Sequence, residues 1–282
     1  MSRFSSYDGT QLAYTRHGSG PLLICLPGGP GRAAEYLGDL GGLAEQRTLV
    51  LLDARATGHS EVPADPSSLR FDRLAADVET LREHLGESQV DVLGHSAGCL
   101  VAQVWAAEHP DRVARLVLVT PTDRLQGGSR NDVAAIRAAR SGESWYADAA
   151  EAAEAMQWAP PAQQQSLVRA TRPFFYGRWD EATQAHAASA DRQSSKRAEL
   201  GFAASADEVD VAGLRASLGG LPVPVLVVAG ECDGLTGVSA ARTVAADFPA
   251  AQVDVLPGAG HFPWVDEPVA FRDAVGRFLA GV

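Results

Sequence analysis

Three side chains of different chemistry stand out in this sequence: the hydroxyl of Ser96, the carboxyl of Asp233 and the imidazole of His261. A serine hydroxyl is a weak nucleophile at neutral pH, and it becomes reactive when a histidine, itself oriented by a carboxylate, takes its proton. The chain order serine, acid, histidine is the one used where the serine lies on a sharp strand-to-helix turn. Together the three residues predict acyl transfer through a covalent serine intermediate.

The local sequence around Ser96 favours such a turn. A β-branched apolar run precedes the motif G-H-S-A-G of residues 94–98, and an Ala-rich helical pattern follows it up to Pro110. A serine on this turn adopts a strained backbone conformation, which is tolerated because Gly94 and Gly98 have no Cβ and let the chain pass close to itself. The context predicts a nucleophile elbow. The competing interpretation is a tight turn whose serine only caps the following helix.

The two partners of the serine follow strand signals near the end of the chain. Asp233 comes directly after the apolar run of residues 222–230, and His261 follows the strand pattern of residues 252–256. The carboxyl ends of parallel strands meet at one edge of a sheet, so these loops should converge on Ser96.

Simpler roles remain open for both partners. Asp233 could cap the helix that follows it, and Glu231 and Asp123 are the competing acids. Glu231 lies two residues earlier on the same loop and should point in a different direction, which favours Asp233. His261 could be a solvent-facing histidine of a loop.

Attack by serine creates an oxyanion, which needs two N–H donors. Ala97, directly after the nucleophile, should supply one donor. The other should come from the glycine loop P-G-G-P-G of residues 27–31, and Gly29 is the main candidate. The competing interpretation of this loop is a flexible turn.

The elements that must position these loops alternate between strand and helix. Strand patterns occupy residues 10–14, 21–26, 48–52, 90–93 and 113–119, and they return at 222–230 and 252–256. Between them, residues 121–220 have helical character and no convincing strand. The pattern predicts an α/β fold with a mostly parallel sheet covered by helices on both faces. We expect a core formed by residues 1–120 and 221–282, and a helical cap insertion at 121–220.

Composition and charge limit the kinds of binding partner that this protein can have. The chain has 282 residues, 46% hydrophobic and 21% charged, with a net charge of −11 and a pI near 5.1. Such a charge repels nucleic acid and anionic membranes. The sequence shows neither a signal peptide nor an apolar span of membrane length, which predicts a cytoplasmic protein. Cys25, Cys99 and Cys232 have neither disulfide nor metal-ligand spacing, and we expect them to be small core residues.

The sequence resembles the α/β-hydrolase superfamily over essentially its whole length and, within it, the proline iminopeptidase group. That group's first loop, H-G-G-P-G, is matched by residues 27–31, and its second, D-x-R-G-x-G-x-S, is partly matched by residues 53–60. Pro27 and Ala56 stand where the group has histidine and glycine, and the group's usual elbow is G-G-S-W-G. The resemblance implies acyl-enzyme chemistry at Ser96 without cofactor or metal.

The substrate implied by this resemblance is a short peptide or amide that loses its N-terminal residue, preferably proline. Members of the group hold the substrate's free amine with carboxylates of the cap, and five glutamates are available there: Glu143, Glu151, Glu154, Glu181 and Glu199. The aromatic residues of the cap suit an apolar pocket.

Other functions use the same fold. The nearest alternative is a carboxylesterase or lactonase with the same triad, and a further one is a non-hydrolytic or ligand-sensing homologue. An aspartate nucleophile would have indicated an epoxide hydrolase or dehalogenase, and Ser96 argues against both.

Overall fold

The structure, a computed structural model, describes residues 1–128, 131–204 and 206–281. Within these ranges the centre of the molecule is one sheet of eight strands. The strands are β1 (Ser2–Ser5), β2 (Gln11–His17), β3 (Leu22–Leu26), β4 (Thr48–Leu52), β5 (Val90–His95), β6 (Val113–Val119), β7 (Val225–Gly230) and β8 (Ala251–Leu256). Their spatial order is β1-β2-β4-β3-β5-β6-β7-β8.

The sheet is mostly parallel, and its central strands are buried. Strands β4, β3, β5, β6, β7 and β8 run parallel, whereas β1 and β2 join one edge in antiparallel pairs. The central strands are apolar runs buried on both faces, as a parallel sheet requires. The predicted α/β fold with a mostly parallel sheet is therefore confirmed. Strand β1 was not predicted, because only Phe4 of its four residues is buried and no apolar pattern marks it.

Helices cover the sheet. They are α1 (Ala75–Leu85), α2 (Gly98–Glu108), α3 (Val133–Ala138), α4 (Tyr146–Ala155), α5 (Pro161–Thr171), α6 (Glu181–Gln193), α7 (Lys196–Phe202), α8 (Val211–Gly219), α9 (Gly237–Ala245), α10 (Pro263–Asp266) and α11 (Pro268–Ala280). Helix α1 ends at Gly86, which takes the left-handed conformation of a C-cap (φ 77°). Between β3 and β4 the chain forms a short 3₁₀ turn, Ala34–Leu37, and turns away at Gly38 (φ 56°).

Two apolar clusters lie on the two faces of the sheet. One joins α1, α2 and α9 to the sheet and contains the fully buried Trp105. The other joins α11 and the 3₁₀ turn to the opposite face and contains Phe271. The loops at the carboxyl ends of the strands are thus fixed to a rigid base.

Helices α3 to α8 connect β6 to β7, and the described part of this connection contains no strand. We call residues 121–220 the helical segment. None of the helices in the described ranges is long and apolar enough to cross a bilayer.

Candidate active site

Ser96 lies on a sharp turn between β5 and α2. Its backbone is in the left-handed region (φ 52°), and its N–H donates to the carbonyl of Val119 on the neighbouring strand at 2.9 Å. A Cβ on Gly94 would lie 2.8 Å from the carbonyl oxygen of Gly98, and one on Gly98 would overlap the carbonyl oxygen of Leu26. Both glycines are therefore required by close backbone approach, as the elbow pattern predicts.

Asp233 and His261 meet in the structure. The Nδ1 atom of His261 lies 2.9 Å from Oδ2 of Asp233, and the two residues are 2% and 1% exposed, respectively. The carboxylate also accepts hydrogen bonds from the N–H groups of Leu235 and Thr236 and from the Thr236 hydroxyl, at 2.8, 3.1 and 2.6 Å. Asp233 thus contacts the imidazole and caps the following turn at the same time. The helix-capping role considered from the sequence is not observed, because α9 begins at Gly237 with Thr236 as its N-cap residue and without a side-chain cap.

The charge state of Asp233 follows from these contacts. Burial by itself disfavours the carboxylate, but the neighbouring His261 and the hydrogen bonds from His261, Thr236 and Leu235 outweigh it and lower the pKa of Asp233. The competing acid Glu231 is exposed and accepts a hydrogen bond from the N–H of Gly258 at 3.2 Å. Asp233 is accordingly ionised and in place to orient the imidazole.

The main chain of His261 is attached to the elbow. Its carbonyl accepts hydrogen bonds from Nε2 of His95 at 2.9 Å and from the Thr120 hydroxyl at 3.0 Å, and its N–H donates to the carbonyl of Phe175 at 2.7 Å. The rings of His95 and His261 lie 4.9 Å apart between centroids. The hydrogen bonds of the described residues do not include one from Ser96 Oγ to the imidazole. Such contacts are often long in the free enzyme and tighten around substrate.

The glycine loop after β3 lies against Ser96. A Cβ on Gly28 would be 2.8 Å from the Cβ of Ser96. The N–H of Gly28 already donates to the Tyr36 hydroxyl at 2.7 Å. The N–H groups of Gly29 and Ala97 donate no hydrogen bond to any residue in the described part of the chain. Both N–H groups are therefore free to bind another acceptor.

The second motif loop, residues 53–60, is hydrogen-bonded to the turn that follows the glycine loop. The carboxylate of Asp53 accepts hydrogen bonds from the N–H groups of Ala34 and His59 at 2.8 and 2.9 Å. Arg55 is buried and forms an ion pair with Asp77 of α1 at 2.6 Å. Ala56 has a left-handed backbone (φ 60°) at the position where the iminopeptidase group has glycine. This loop is therefore bonded to the turn that follows the glycine loop and to α1.

The helical segment holds the acid and base loops. The N–H of Gly234, next to Asp233, donates to the carbonyl of Phe174 at 3.0 Å. The Oδ2 atom of Asp266 accepts the N–H groups of Gly177 and Gly260 at 2.9 and 2.8 Å. Burial raises the pKa of Asp266 to about 6. Sequence reasoning missed Asp266, because nothing in the sequence marks this acid as buried.

The helical segment also holds the glycine loop. The buried guanidinium of Arg32 donates to the side chains of Gln193 and Ser189 on α6 at 3.0 and 2.9 Å. It also lies over the ring of Tyr36, with Cζ 4.2 Å from the centroid. Backbone hydrogen bonds join the same elements, from Ala33 to Gln193 and from Ser195 to Gly31. Arg32 and Tyr36 were not singled out from the sequence, because their roles depend on contacts with α6.

The sequence analysis offers five glutamates of the helical segment as ligands for a substrate amine. All five are exposed: Glu143, Glu151, Glu154, Glu181 and Glu199. Two of them pair on the surface, Glu143 with Arg140 at 3.5 Å and Glu199 with Lys196 at 2.9 Å. Among the aromatic residues, Phe174 and Tyr176 are buried, whereas Trp158 is 85% exposed.

A small apolar cavity of about 30 Å³ lies beside the glycine loop. Its lining includes Gly28, Pro30, Val101 and Phe202, but neither Ser96 nor His261. It has room for one or two waters.

The three cysteines are free thiols. Cys25 and Cys99 are buried, which raises the pKa of each thiol, and Cys232 is half-buried. In the described ranges no group of three or more His, Cys, Asp or Glu residues is arranged to hold a metal ion.

The strand order, the elbow after β5 and an acid and a histidine on the loops after β7 and β8 together define an α/β-hydrolase. The chain belongs to the alpha/beta hydrolase fold family, whose model matches residues 21–268. The superfamily and the hydrolase class predicted from the sequence are therefore confirmed.

Individual relatives differ in activity and in how much they match. A proline iminopeptidase of Heyndrickxia coagulans is 32% identical over 108 residues, which are 38% of this chain and 38% of that relative. The 3-oxoadipate enol-lactonase 2 of Acinetobacter baylyi is 28% identical over 227 residues, 80% of this chain and 76% of that relative. The crystal structure of a hydrolase from Pseudomonas aeruginosa has 30% identity and a TM-score of 0.69, covering 99% of this chain and 97% of that one. The iminopeptidase match thus spans well under half of its relative.

Proposed function

We propose that this protein is a serine hydrolase that cleaves small carboxylic esters or lactones through an acyl-enzyme on Ser96. The observation that carries the proposal is the buried pair of Asp233 and His261. The main-chain carbonyl of His261 is hydrogen-bonded to His95, the residue directly before Ser96. A carboxylate on Nδ1 leaves Nε2 of the imidazole to act as the base.

The reaction follows from these positions. Nε2 of His261 takes the proton of the Ser96 hydroxyl while Oγ attacks the ester carbonyl carbon, and the N–H groups of Gly29 and Ala97 stabilise the oxyanion. The C–O bond to the alcohol then breaks, and the imidazolium protonates the leaving oxygen. Water, activated by the same imidazole, attacks the acyl carbon and releases the acid and free Ser96. These steps need no cofactor or metal.

The choice of an ester or lactone over a peptide depends on the helical segment, which we propose acts as a cap. A free α-amine needs a carboxylate facing the site, and the five glutamates offered for that role are all exposed. The enol-lactonase relative also matches twice as much of the chain as the iminopeptidase does, 80% against 38%. An uncharged substrate fits these observations better.

The second candidate is an iminopeptidase. Its support is the glycine loop of residues 27–31 and the match to the Heyndrickxia coagulans enzyme.

The two candidates are separated by parallel turnover of short-chain nitrophenyl esters and of a prolyl arylamide. We expect ester hydrolysis, little arylamide cleavage, and a loss of about 10⁴-fold or more in kcat for Ser96→Ala. Ser166→Ala, which changes an exposed serine on α5, is the matched control and should keep wild-type kcat. Arylamide cleavage faster than ester hydrolysis would favour the iminopeptidase. Full activity of Ser96→Ala would refute both candidates.

A further inference from the structure

His95, the residue before the proposed nucleophile, is buried and uses both ring nitrogens. Nε2 lies 2.9 Å from the carbonyl oxygen of His261, and Nδ1 lies 2.6 Å from the Tyr36 hydroxyl. A carbonyl can only accept, so the proton of the neutral ring is on Nε2 and Nδ1 accepts from Tyr36. The Tyr36 oxygen in turn accepts the N–H of Gly28 at 2.7 Å. One line of hydrogen bonds therefore runs from the glycine loop through the elbow to the histidine loop.

The same arrangement is repeated one step further out. Nε2 of His186, on α6, lies 3.1 Å from the carbonyl oxygen of Tyr36, and Nδ1 lies 2.8 Å from the hydroxyl of Tyr176. The same argument places the proton of this ring on Nε2. Tyr176, His186, Tyr36 and His95 thus form one chain, which we call the Tyr-His chain, from the helical segment to His261.

Both imidazoles are neutral in this setting. Burial lowers the pKa of His95 well below its usual value, and the neighbouring His261 and Arg32 add to the effect. Burial and the nearby Arg32 guanidinium lower the pKa of His186 to about 4. A protonated ring would lose Nδ1 as an acceptor. The chain is therefore intact throughout the neutral range.

We propose that the Tyr-His chain is a set of positioning residues for the reaction, and that its hydrogen bonds fix the glycine loop and His261 relative to Ser96. None of its four members touches the substrate in the proposed mechanism. The inference rests on the proposed function, because it concerns how that site is held.

Tyr36 is the member that the geometry makes most important. Its hydroxyl is the shared partner of Gly28 and His95, and loss of that oxygen leaves a buried donor and a buried acceptor unpaired. Gly28 is next to Gly29, the proposed oxyanion donor, so a small displacement of this loop weakens oxyanion stabilisation.

The test compares Tyr36→Phe with Tyr14→Phe in ester hydrolysis. Tyr14 is a matched control, because it is a buried tyrosine of β2 whose hydroxyl also contacts a histidine, His84, at 3.3 Å. We expect Tyr36→Phe to lower kcat by about tenfold to a hundredfold with little change in KM, and Tyr14→Phe to keep wild-type kcat. Equal kcat values for the two variants, with both folded, would overturn the proposal.

A double-variant cycle tests whether the chain acts as one unit. Tyr176→Phe should lower kcat by less than Tyr36→Phe does. Combining the two should cost little more than Tyr36→Phe alone, because residues in one hydrogen-bond network are not additive. Independent, multiplicative losses would contradict a connected chain.

A spectroscopic measurement on the wild-type protein does not depend on the folding of any variant. We expect ¹H–¹⁵N spectra at pH 7 to show His95 and His186 as neutral rings protonated on Nε2. Protonation of His95 on Nδ1, or on both nitrogens, would overturn the chain.

Failure of the proposed function can be told apart from failure of the positioning role. If the wild-type protein hydrolyses no ester, the proposed reaction is wrong. If the wild type is active and Tyr36→Phe has the same kcat, only the positioning role is refuted.

Discussion

At the scale of single residues, two buried aspartates near Ser96 differ in the direction of their pKa shifts. Asp233 is ionised because four hydrogen bonds, one of them with the imidazole of the neighbouring His261, compensate for burial. Asp266 is equally buried, but only Oδ2 is bonded, to two backbone N–H groups, and Oδ1 has no partner in the described part of the structure. The same side chain type therefore has opposite pKa shifts at two positions of one site.

The raised pKa of Asp266 leads to a prediction about stability and pH. A carboxyl whose folded pKa lies near 6 stabilises the fold fully below its unfolded pKa of about 4, and this contribution is lost as the pH rises through 6. Asp266→Asn cannot ionise. Between pH 4 and pH 7 the wild type should therefore lose up to about 3 kcal/mol of unfolding free energy relative to Asp266→Asn.

Urea denaturation at pH 4 and pH 7 measures this difference. Asp39→Asn, at an exposed aspartate, is the control and should follow the wild type at both pH values. Parallel pH dependence of wild type and Asp266→Asn would show that Asp266 does not titrate in this range.

At the scale of elements, the elbow depends on backbone approach that only glycine permits. A Cβ on Gly98 would lie 2.6 Å from the carbonyl oxygen of Pro27 and would overlap that of Leu26, so α2 and the glycine loop cannot keep their places together. The positive φ of Ser96 is maintained by this packing.

Gly98→Ala should destabilise the protein by about 1–3 kcal/mol, because neither backbone carbonyl can move freely. It should also lower ester hydrolysis, since the glycine loop must shift. Gly142→Ala is the control: no described atom lies within 4 Å of its Cβ position, and it should change stability by less than about 0.5 kcal/mol. Urea denaturation and kcat measure both effects. Equal stability of the two variants would contradict the packing argument.

At the scale of the whole molecule, the sequence predicts what local pattern controls. Strands β4 and β6 match the expected residues 48–52 and 113–119, because predominantly apolar runs mark strands that are largely buried on both faces. The G-H-S-A-G motif gives the elbow for the same local reason, namely glycines at the crowded positions. Ser96, Asp233 and His261 could be proposed from the sequence because each follows a strand signal.

What the sequence does not predict depends on contacts between distant segments. Arg32, Tyr36 and His186 became visible only when the structure placed α6 against the glycine loop. No sequence pattern around Asp266 predicts that its carboxyl is buried. The carboxyl accepts a hydrogen bond from the N–H of Gly177, which lies 89 residues away. The helical segment thus contacts both halves of the site, the glycine loop through α6 and the acid and base loops through residues 174–177.

We propose that the loops at the carboxyl ends of the strands together activate one serine, Ser96. Labelling with a fluorophosphonate probe, followed by peptide mass spectrometry, tests it most directly, because an unactivated serine does not react with this reagent. We expect one adduct, on the peptide that contains Ser96, and none in Ser96→Ala. Absence of labelling in the folded wild-type protein, or an adduct on a different residue, would contradict the account.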